Sequence, residues 1–148
     1  MTADIFDLWA EVSPSERIHP RDRAVFDRID KSVHGFDLRC LPSCFDGPLK
    51  TAPVVLLYLS PGLVEQDINE ADTGEAQARY AECRSGMQSI WGPDIHKGSW
   101  KWWSERTSLY GSLEQFRDKI AFLNISPYHS EDFRNYMMLS ALPSCRVS

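Results

Sequence analysis

Two short apolar runs end in the same way, and they constrain the fold of this chain more than any other feature. Residues 54–59 read VVLLYL and are followed by Ser-Pro-Gly at 60–62, and residues 120–125 read IAFLNI and are followed by Ser-Pro at 126–127. Continuous apolar runs of this length, stopped by turn residues, indicate strands that are buried on both faces. The sequence therefore predicts a short sheet whose strands lie far apart in the chain.

Helix-forming segments surround the two predicted strands and indicate an α/β layer fold. We expect helices over 3–11, 20–33, 74–84 and 99–110, and a short edge strand over 36–39. Ser130 is placed to cap a last helix. A length of 148 residues indicates one domain, with an N-terminal helical segment over 1–35 and an α/β core over 36–148.

Charge and composition exclude several classes of protein. The net charge of -5 argues against a non-specific nucleic-acid binder, because such affinity comes mainly from Lys and Arg. The run at 54–59 is too short to span a bilayer, and the acidic N-terminus lacks the pattern of a signal peptide. We therefore expect a cytoplasmic protein, without a membrane partner, whose four cysteines are reduced.

Functional side chains are expected where the two strands end. In open α/β sheets, ligands bind in the crevice outside the carboxyl ends of the strands. If the two strands are parallel neighbours, their ends meet and form one crevice. The residues that this geometry would bring together are Ser60, Gly62, Asn124, Tyr128 and His129.

Two motifs resemble those of the uracil-DNA glycosylase superfamily. LSPG at 59–62 is similar to a strand end that reads Leu-Asn-Pro-Gly in that family, and PYHS at 127–130 is similar to a later Pro-Tyr-His-Ser element. FDGP at 45–48 is similar to the segment that approaches the first strand, and the likeness covers roughly 40–148. The resemblance implies a three-layer α/β sandwich with a short, mainly parallel sheet.

The same resemblance implies a site for a flipped-out base and hydrolysis of its N-glycosidic bond, with water as the nucleophile. Ser60 and His129 would be the catalytic residues, the first holding water and the second supplying charge to the leaving base. Neither a metal nor a cofactor is expected, and the expected partner is a nucleobase, a nucleotide or DNA. The implied ligand-binding residues are Pro61, Gly62, Asn124, Tyr128 and Ser130, with Tyr128 stacking on the base.

Two departures from the family pattern predict a divergent or shortened member. Ser60 stands where relatives carry Asn or Asp, and its neutral hydroxyl is too weak a base to activate water strongly. Leu142-Pro143-Ser144 lacks the His of the late His-Pro-Ser motif. The last strands of the fold are also missing, so the sheet is expected to be completed by another chain or to be incomplete at its C-terminal end.

Several residues have structural alternatives that remain open. His129 can bond backbone at the start of a helix, Asn124 can bond a neighbouring loop, and Tyr128 can pack between strand and helix. Trp102 and Trp103 share one helical face and are expected to pack on the sheet, whereas Trp100 is expected to point elsewhere. The alternative function is a protein-interaction module, without enzymatic activity, whose open sheet edge pairs with a partner or forms a homodimer.

Two clusters of ligand-type residues are not expected to bind metal. The acidic stretch over 62–73 is predicted to be a solvated loop, because like charges without an apolar frame usually face water. Cys40 and Cys44 form the single closely spaced cysteine pair, with Pro42 between them, whereas structural zinc sites usually carry two such pairs.

Overall fold

A small mixed sheet forms the centre of the computed structural model, which describes residues 4–147. Its strands are β1 (Phe45–Asp46), β2 (Val54–Tyr58) and β3 (Ile120–Asn124), in the order β1-β3-β2. β2 and β3 are parallel, with Tyr58 paired to Asn124, and β1 is antiparallel to β3. The prediction that the two apolar runs form neighbouring parallel strands is therefore confirmed, and the fold is α/β.

Helices cover the sheet on both faces of β3. Phe122 packs with Trp103 and Leu113 on one face, whereas Leu123 packs with Leu8 and Trp9 on the other. Successive residues of a strand point to opposite faces, so a single strand supports both layers. The helices of residues 4–147 are α1 (Ile5–Ala10), α2 (Arg23–Phe26), α3 (Lys31–His34), α4 (Glu65–Glu70), α5 (Gly74–Cys83), α6 (Lys97–Thr107), α7 (Leu113–Phe116) and α8 (Met137–Ala141).

Helix predictions from apolar spacing and composition are confirmed for α1, α5 and α6. The helix expected over 20–33 is instead divided into a 3-10 turn at Pro20–Asp22, α2 and α3. The break has a local cause, because the Asp30 carboxylate accepts a hydrogen bond from the Ser32 amide at 2.8 Å and starts a new helix there.

Three local predictions are wrong. The acidic stretch over 62–73 is not a loop, since it contains α4, whose first turn is closed by a bond from the Val64 amide to the Asp67 carboxylate at 2.9 Å. Residues 36–39 form no strand, and the edge strand is β1. The last helix starts at Met137, because the Ser130 hydroxyl bonds Ser60 and does not cap a helix.

β2 is not buried on both faces as predicted. It is an edge strand of the sheet. Because successive residues point to opposite faces, Leu56 and Tyr58 pack against the α6 layer, whereas Val55 and Leu57 point away from it. Val55 is 44% exposed and Leu57 60% exposed. β3 meets the expectation, because its Ile120, Ala121 and Phe122 are buried.

The N-terminal helical segment packs into the same core as the end of the chain. Phe36, Tyr128 and Leu142 are buried together, with Val25 and Phe26 packed against them. Residues 18–29 therefore share a hydrophobic core with the residues that follow β3, whereas α1 packs against β1. Among the described residues, no helix has the length and hydropathy needed to cross a bilayer.

Candidate functional site

A cavity of about 140 Å³ lies at the carboxyl ends of β2 and β3, where the sequence predicts a crevice. A dry cavity of about this size is large enough for benzene in another protein, so this one has room for a single six-membered ring. Six of the residues that line it carry flat aromatic side chains, which offer stacking surfaces to a planar ligand. These side chains are Tyr58, Tyr80, Trp91, Trp102, Trp103 and Phe122.

His129 reaches this cavity from the loop after β3. Its Nδ1 lies 2.7 Å from the carbonyl oxygen of Gly62. A carbonyl can only accept, so Nδ1 carries the hydrogen and Nε2 carries a lone pair in the neutral ring. Nε2 is buried and has no partner among the described residues, and the side chain is only 4% exposed. The predicted approach of Gly62 and His129 is confirmed, and it leaves a base in a cavity wall.

The carboxylate of Asp67 in α4 lies next to Nδ1 of His129 and accepts a hydrogen bond from a second histidine, His96. Its Oδ2 lies 3.4 Å from Nδ1 of His129, and its Oδ1 lies 2.9 Å from Nε2 of His96. His96 Nδ1 accepts a hydrogen bond from the Ser99 amide at 3.1 Å. Its Nε2 therefore carries the ring hydrogen and donates a hydrogen bond to Asp67. Sequence reasoning missed both residues, because the acidic pattern predicts a solvated loop around Asp67 and His96 lies far from either motif.

The charge of Asp67 is well stabilised despite its burial. Burial alone would raise the pKa of this carboxyl, but the hydrogen bonds from His129 and His96 outweigh burial and hold the pKa below its usual value. Asp67 is therefore an anion next to Nδ1 of His129. An anion at this place holds the imidazole of His129 in one orientation.

A second carboxyl, Asp46, also lines the cavity. It is 6% exposed, and the Cys83 thiol donates a hydrogen bond to its Oδ1 at 3.6 Å. Burial raises the pKa of Asp46 to about 7, which the weaker bond from Cys83 and the nearby His96 and His129 only partly oppose. Asp46 therefore changes charge close to neutral pH. No sequence motif other than the FDGP likeness marks this position.

Most of the predicted site residues meet at the cavity. Ser60, Pro61, Gly62 and Asn124 line it together with His129. Ser130 stands behind Ser60, with 3.0 Å between their hydroxyl oxygens. The Asn124 amide donates to the Ser43 carbonyl at 3.0 Å, which confirms the structural alternative for this residue.

Tyr128 is not available for stacking on a ligand. It is 2% exposed, lies between Phe26 and Phe36, and is not part of the cavity wall. Its hydroxyl donates to Asp22 at 2.6 Å and accepts from the His19 amide at 3.1 Å. The side chain of Tyr128 packs in the core with Phe36 and Leu142, whereas that of its neighbour His129 lines the cavity. The prediction that Tyr128 stacks on a base is therefore corrected, and the packing alternative holds.

The tryptophans of α6 pack on the sheet as predicted. Trp103 stacks on Phe122 with ring centroids 5.0 Å apart, and Trp102 meets Tyr58 edge to face at 4.7 Å. The Arg106 guanidinium lies 3.8 Å from the Trp102 ring centroid. Trp100, contrary to expectation, also packs against this cluster and is partly buried. α6 thereby forms the aromatic side of the cavity.

Comparisons with family models, curated proteins and solved structures found no match to this chain. Across residues 4–147, no group of three or more His, Cys, Asp and Glu side chains is arranged to hold a metal ion. Function must therefore be argued from the cavity itself.

Proposed function

We propose that the cavity binds a single-ring nucleobase, either free or as part of a nucleotide or of DNA. The observation that carries this proposal is an aromatic cavity lined by His129, an imidazole whose buried Nε2 has no partner among the described residues. A buried polar atom without a partner costs about 1–3 kcal/mol, and a ligand with an N–H group removes that cost. Stacking on aromatic side chains adds about 1–3 kcal/mol per base.

Hydrolysis of an N-glycosidic bond is the reaction that this arrangement supports best. A water near Ser60 can bond its hydroxyl, which Ser130 orients from behind. The water oxygen bonds the sugar carbon while the base leaves with the electrons of the old bond. The proton of the water passes to solvent, while Nε2 of His129 keeps the hydrogen bond from the ring N–H that holds the base in place. The departing base takes its proton from solvent.

A distant relationship to the uracil-DNA glycosylase superfamily, with its three-layer sandwich, is part of the proposal. It is supported by the two motifs, LSPG at 59–62 and PYHS at 127–130, which end neighbouring parallel strands. Helices on both faces of β3 also suit such a sandwich. Ser60 in place of Asn or Asp means that the first motif supplies no carboxylate or amide to the proposed site.

Calorimetric titration with uracil tests the proposed function. We expect saturable binding by the wild type and about tenfold weaker binding by His129→Ala, because about 1.4 kcal/mol is lost with the acceptor. His34→Ala is the matched control: His34 is also a buried imidazole, 6% exposed, but it does not line the cavity. Release of uracil from a uracil-containing oligonucleotide tests the reaction separately.

The outcomes of this titration are distinct. Equal loss of binding in His129→Ala and His34→Ala would indicate general destabilisation, and no saturable binding by the folded wild type would refute the proposal. Binding without release of uracil would limit the function to recognition.

The exposed edge of β2 favours a second candidate function, which is pairing with a second copy of this chain. Residues 54–59 carry no charge, although natural edge strands are usually protected by charged residues or Pro. Val55, Leu57 and Leu59 are 44%, 60% and 36% exposed. Two copies of β2 aligned antiparallel would pair their free backbone groups, make these side chains cross-strand neighbours and join two sheets of three strands.

Sedimentation velocity over a roughly hundredfold range of concentration tests this dimer. We expect a concentration-dependent dimer that Leu57→Lys weakens, because the lysines of the two copies would be like-charged neighbours across the new strand pair. Leu109→Lys is the control, since Leu109 is 92% exposed but lies outside β2. A wild type that stays monomeric throughout the range would refute this candidate.

A further inference from the structure

Strand pairing directs the Asp46 side chain into the cavity. β1 has two residues, and the second, Asp46, is the direct partner of Phe122 in β3. Directly opposed residues of an antiparallel pair point to the same face of a sheet. Phe122 lines the cavity on that face, so the short β1 strand holds the carboxyl beside the aromatic wall.

The residue after Asp46 fixes this placement. Gly47 has φ +83, and a Cβ atom there would lie 2.6 Å from the carbonyl oxygen of Ile120. No other residue type fits this turn without a shift of the backbone. The chain thus turns sharply after Asp46 and holds the carboxyl in a fixed position.

The Asp46 carboxyl has few partners in the protein, namely the backbone amide of Gly47 and the thiol of Cys83. Within residues 4–147 the Cys83 thiol is the only side chain that hydrogen-bonds it, and a thiol is a weak donor. No Lys or Arg of the described chain forms an ion pair with it. The titratable groups that face it are Cys83 and Tyr80 of α5, His96 before α6, and His129 after β3.

We propose that Asp46 is a second ligand-binding residue, and that its neutral carboxyl and the Nε2 of His129 together select a neutral single-ring heterocycle bearing both C=O and N–H groups. This inference rests on the proposed function of the cavity. The carboxyl O–H donates to a ring carbonyl, and Nε2 accepts from a ring N–H. A purely apolar ring of the same size forms no hydrogen bond with the Asp46 carboxyl or with Nε2 of His129. An anionic ring would be repelled by Asp46 once that carboxyl ionises.

The assignment makes ligand affinity depend on pH. The pKa of Asp46 is about 7, so the carboxyl is mostly neutral below this pH and mostly ionised above it. A ligand that needs the neutral carboxyl loses close to tenfold in affinity for each pH unit above the pKa. Its binding in turn raises the pKa of Asp46, because linkage is reciprocal.

Calorimetric titrations with uracil and with benzene, at about pH 6 and about pH 8, test this inference. We expect uracil affinity of the wild type to be about tenfold lower at the higher pH. In Asp46→Asn, whose amide is a neutral mimic of the protonated carboxyl, the decline should disappear and the affinity should stay high. Benzene should bind more weakly than uracil and equally at both pH values.

A second measurement needs neither a variant nor a ligand. The ¹³C carboxyl resonance of Asp46 in the wild type should titrate near neutral pH, and its midpoint should rise when uracil is added. A midpoint near the ordinary Asp value of 3.8 would overturn the inference directly.

The results separate this inference from the proposed function. Uracil binding that is flat with pH, or that declines equally in Asp46→Asn, overturns the role of Asp46 and leaves the cavity a base-binding site. No uracil binding at either pH in a folded protein overturns both.

Discussion

Single residues determine where the acid and base groups of this cavity lie. The Gly62 carbonyl selects the tautomer of His129, and the Ser99 amide does the same for His96. Gly47 sets the turn that keeps Asp46 in the wall. Each of these effects comes from a backbone group or from the absence of a side chain. The types of the residues that line the cavity therefore do not by themselves determine where its acid and base groups lie.

The glycine after Asp46 can be tested against another glycine with positive φ. Gly47→Ala should lower the free energy of unfolding by about 3 kcal/mol or more, because strain adds to a Cβ contact of 2.6 Å with backbone. Gly35 has φ +72, but a Cβ atom there would meet no other atom within 4 Å, so Gly35→Ala should cost about 1–2 kcal/mol. Urea unfolding of both variants makes the comparison, and equal losses would contradict the steric argument.

Among the secondary-structure elements, those with strong local patterns were predictable. β2 and β3 follow from continuous apolar runs, and their Ser-Pro ends located the cavity correctly. α4 was missed because its sequence, EQDINE, has almost no apolar stripe. The contacts that hold α4 in place come from residues distant in sequence. His96 and His129 both direct a ring nitrogen at the Asp67 carboxylate. A helix stabilised by such partners leaves little signal in its own composition.

The docking of α4 has a predicted pH dependence. The folded pKa of Asp67 lies below its ordinary value of 3.8, so its ionised form stabilises the fold above that pH. This stability is lost as pH falls below 3.8 towards the lower folded pKa. Asp67→Asn should therefore cost about 2 kcal/mol near neutral pH, and the difference from the wild type should shrink in acid.

Thermal unfolding at several pH values measures this effect. Asp72→Asn is the control, since the Asp72 side chain is 91% exposed and its loss should change stability little. A penalty for Asp67→Asn that stays constant from neutral pH into acid would contradict the linkage.

Across the whole chain, the two ends meet in one buried polar network. Asp22 is 0% exposed, and it accepts hydrogen bonds from the Tyr128 hydroxyl at 2.6 Å and from the Ser144 amide at 2.9 Å. Sequence reasoning predicts Tyr128 at the ligand because this residue follows β3 within the PYHS motif at 127–130. It could not foresee Asp22 as a partner, since the two residues are 106 positions apart.

Tyr128→Phe distinguishes the two assignments of this residue. Loss of the hydroxyl leaves Asp22 short of one donor, so the free energy of unfolding should fall by about 1–3 kcal/mol. Uracil affinity should be unchanged, because the ring does not line the cavity. Tyr136→Phe is the control, since Tyr136 is 61% exposed. Weaker uracil binding without a loss of stability would restore the stacking role.

The position of β3 between β1 and β2 has a consequence for synthesis of the protein. β1 and β2 are made first but do not pair with each other, and the strand that joins them begins only at Ile120. A ribosome must therefore synthesise the chain beyond Asn124 before this sheet can assemble. Until then the VVLLYL run stays uncovered, and nascent chains stalled before this strand should bind chaperones and be readily digested by proteases.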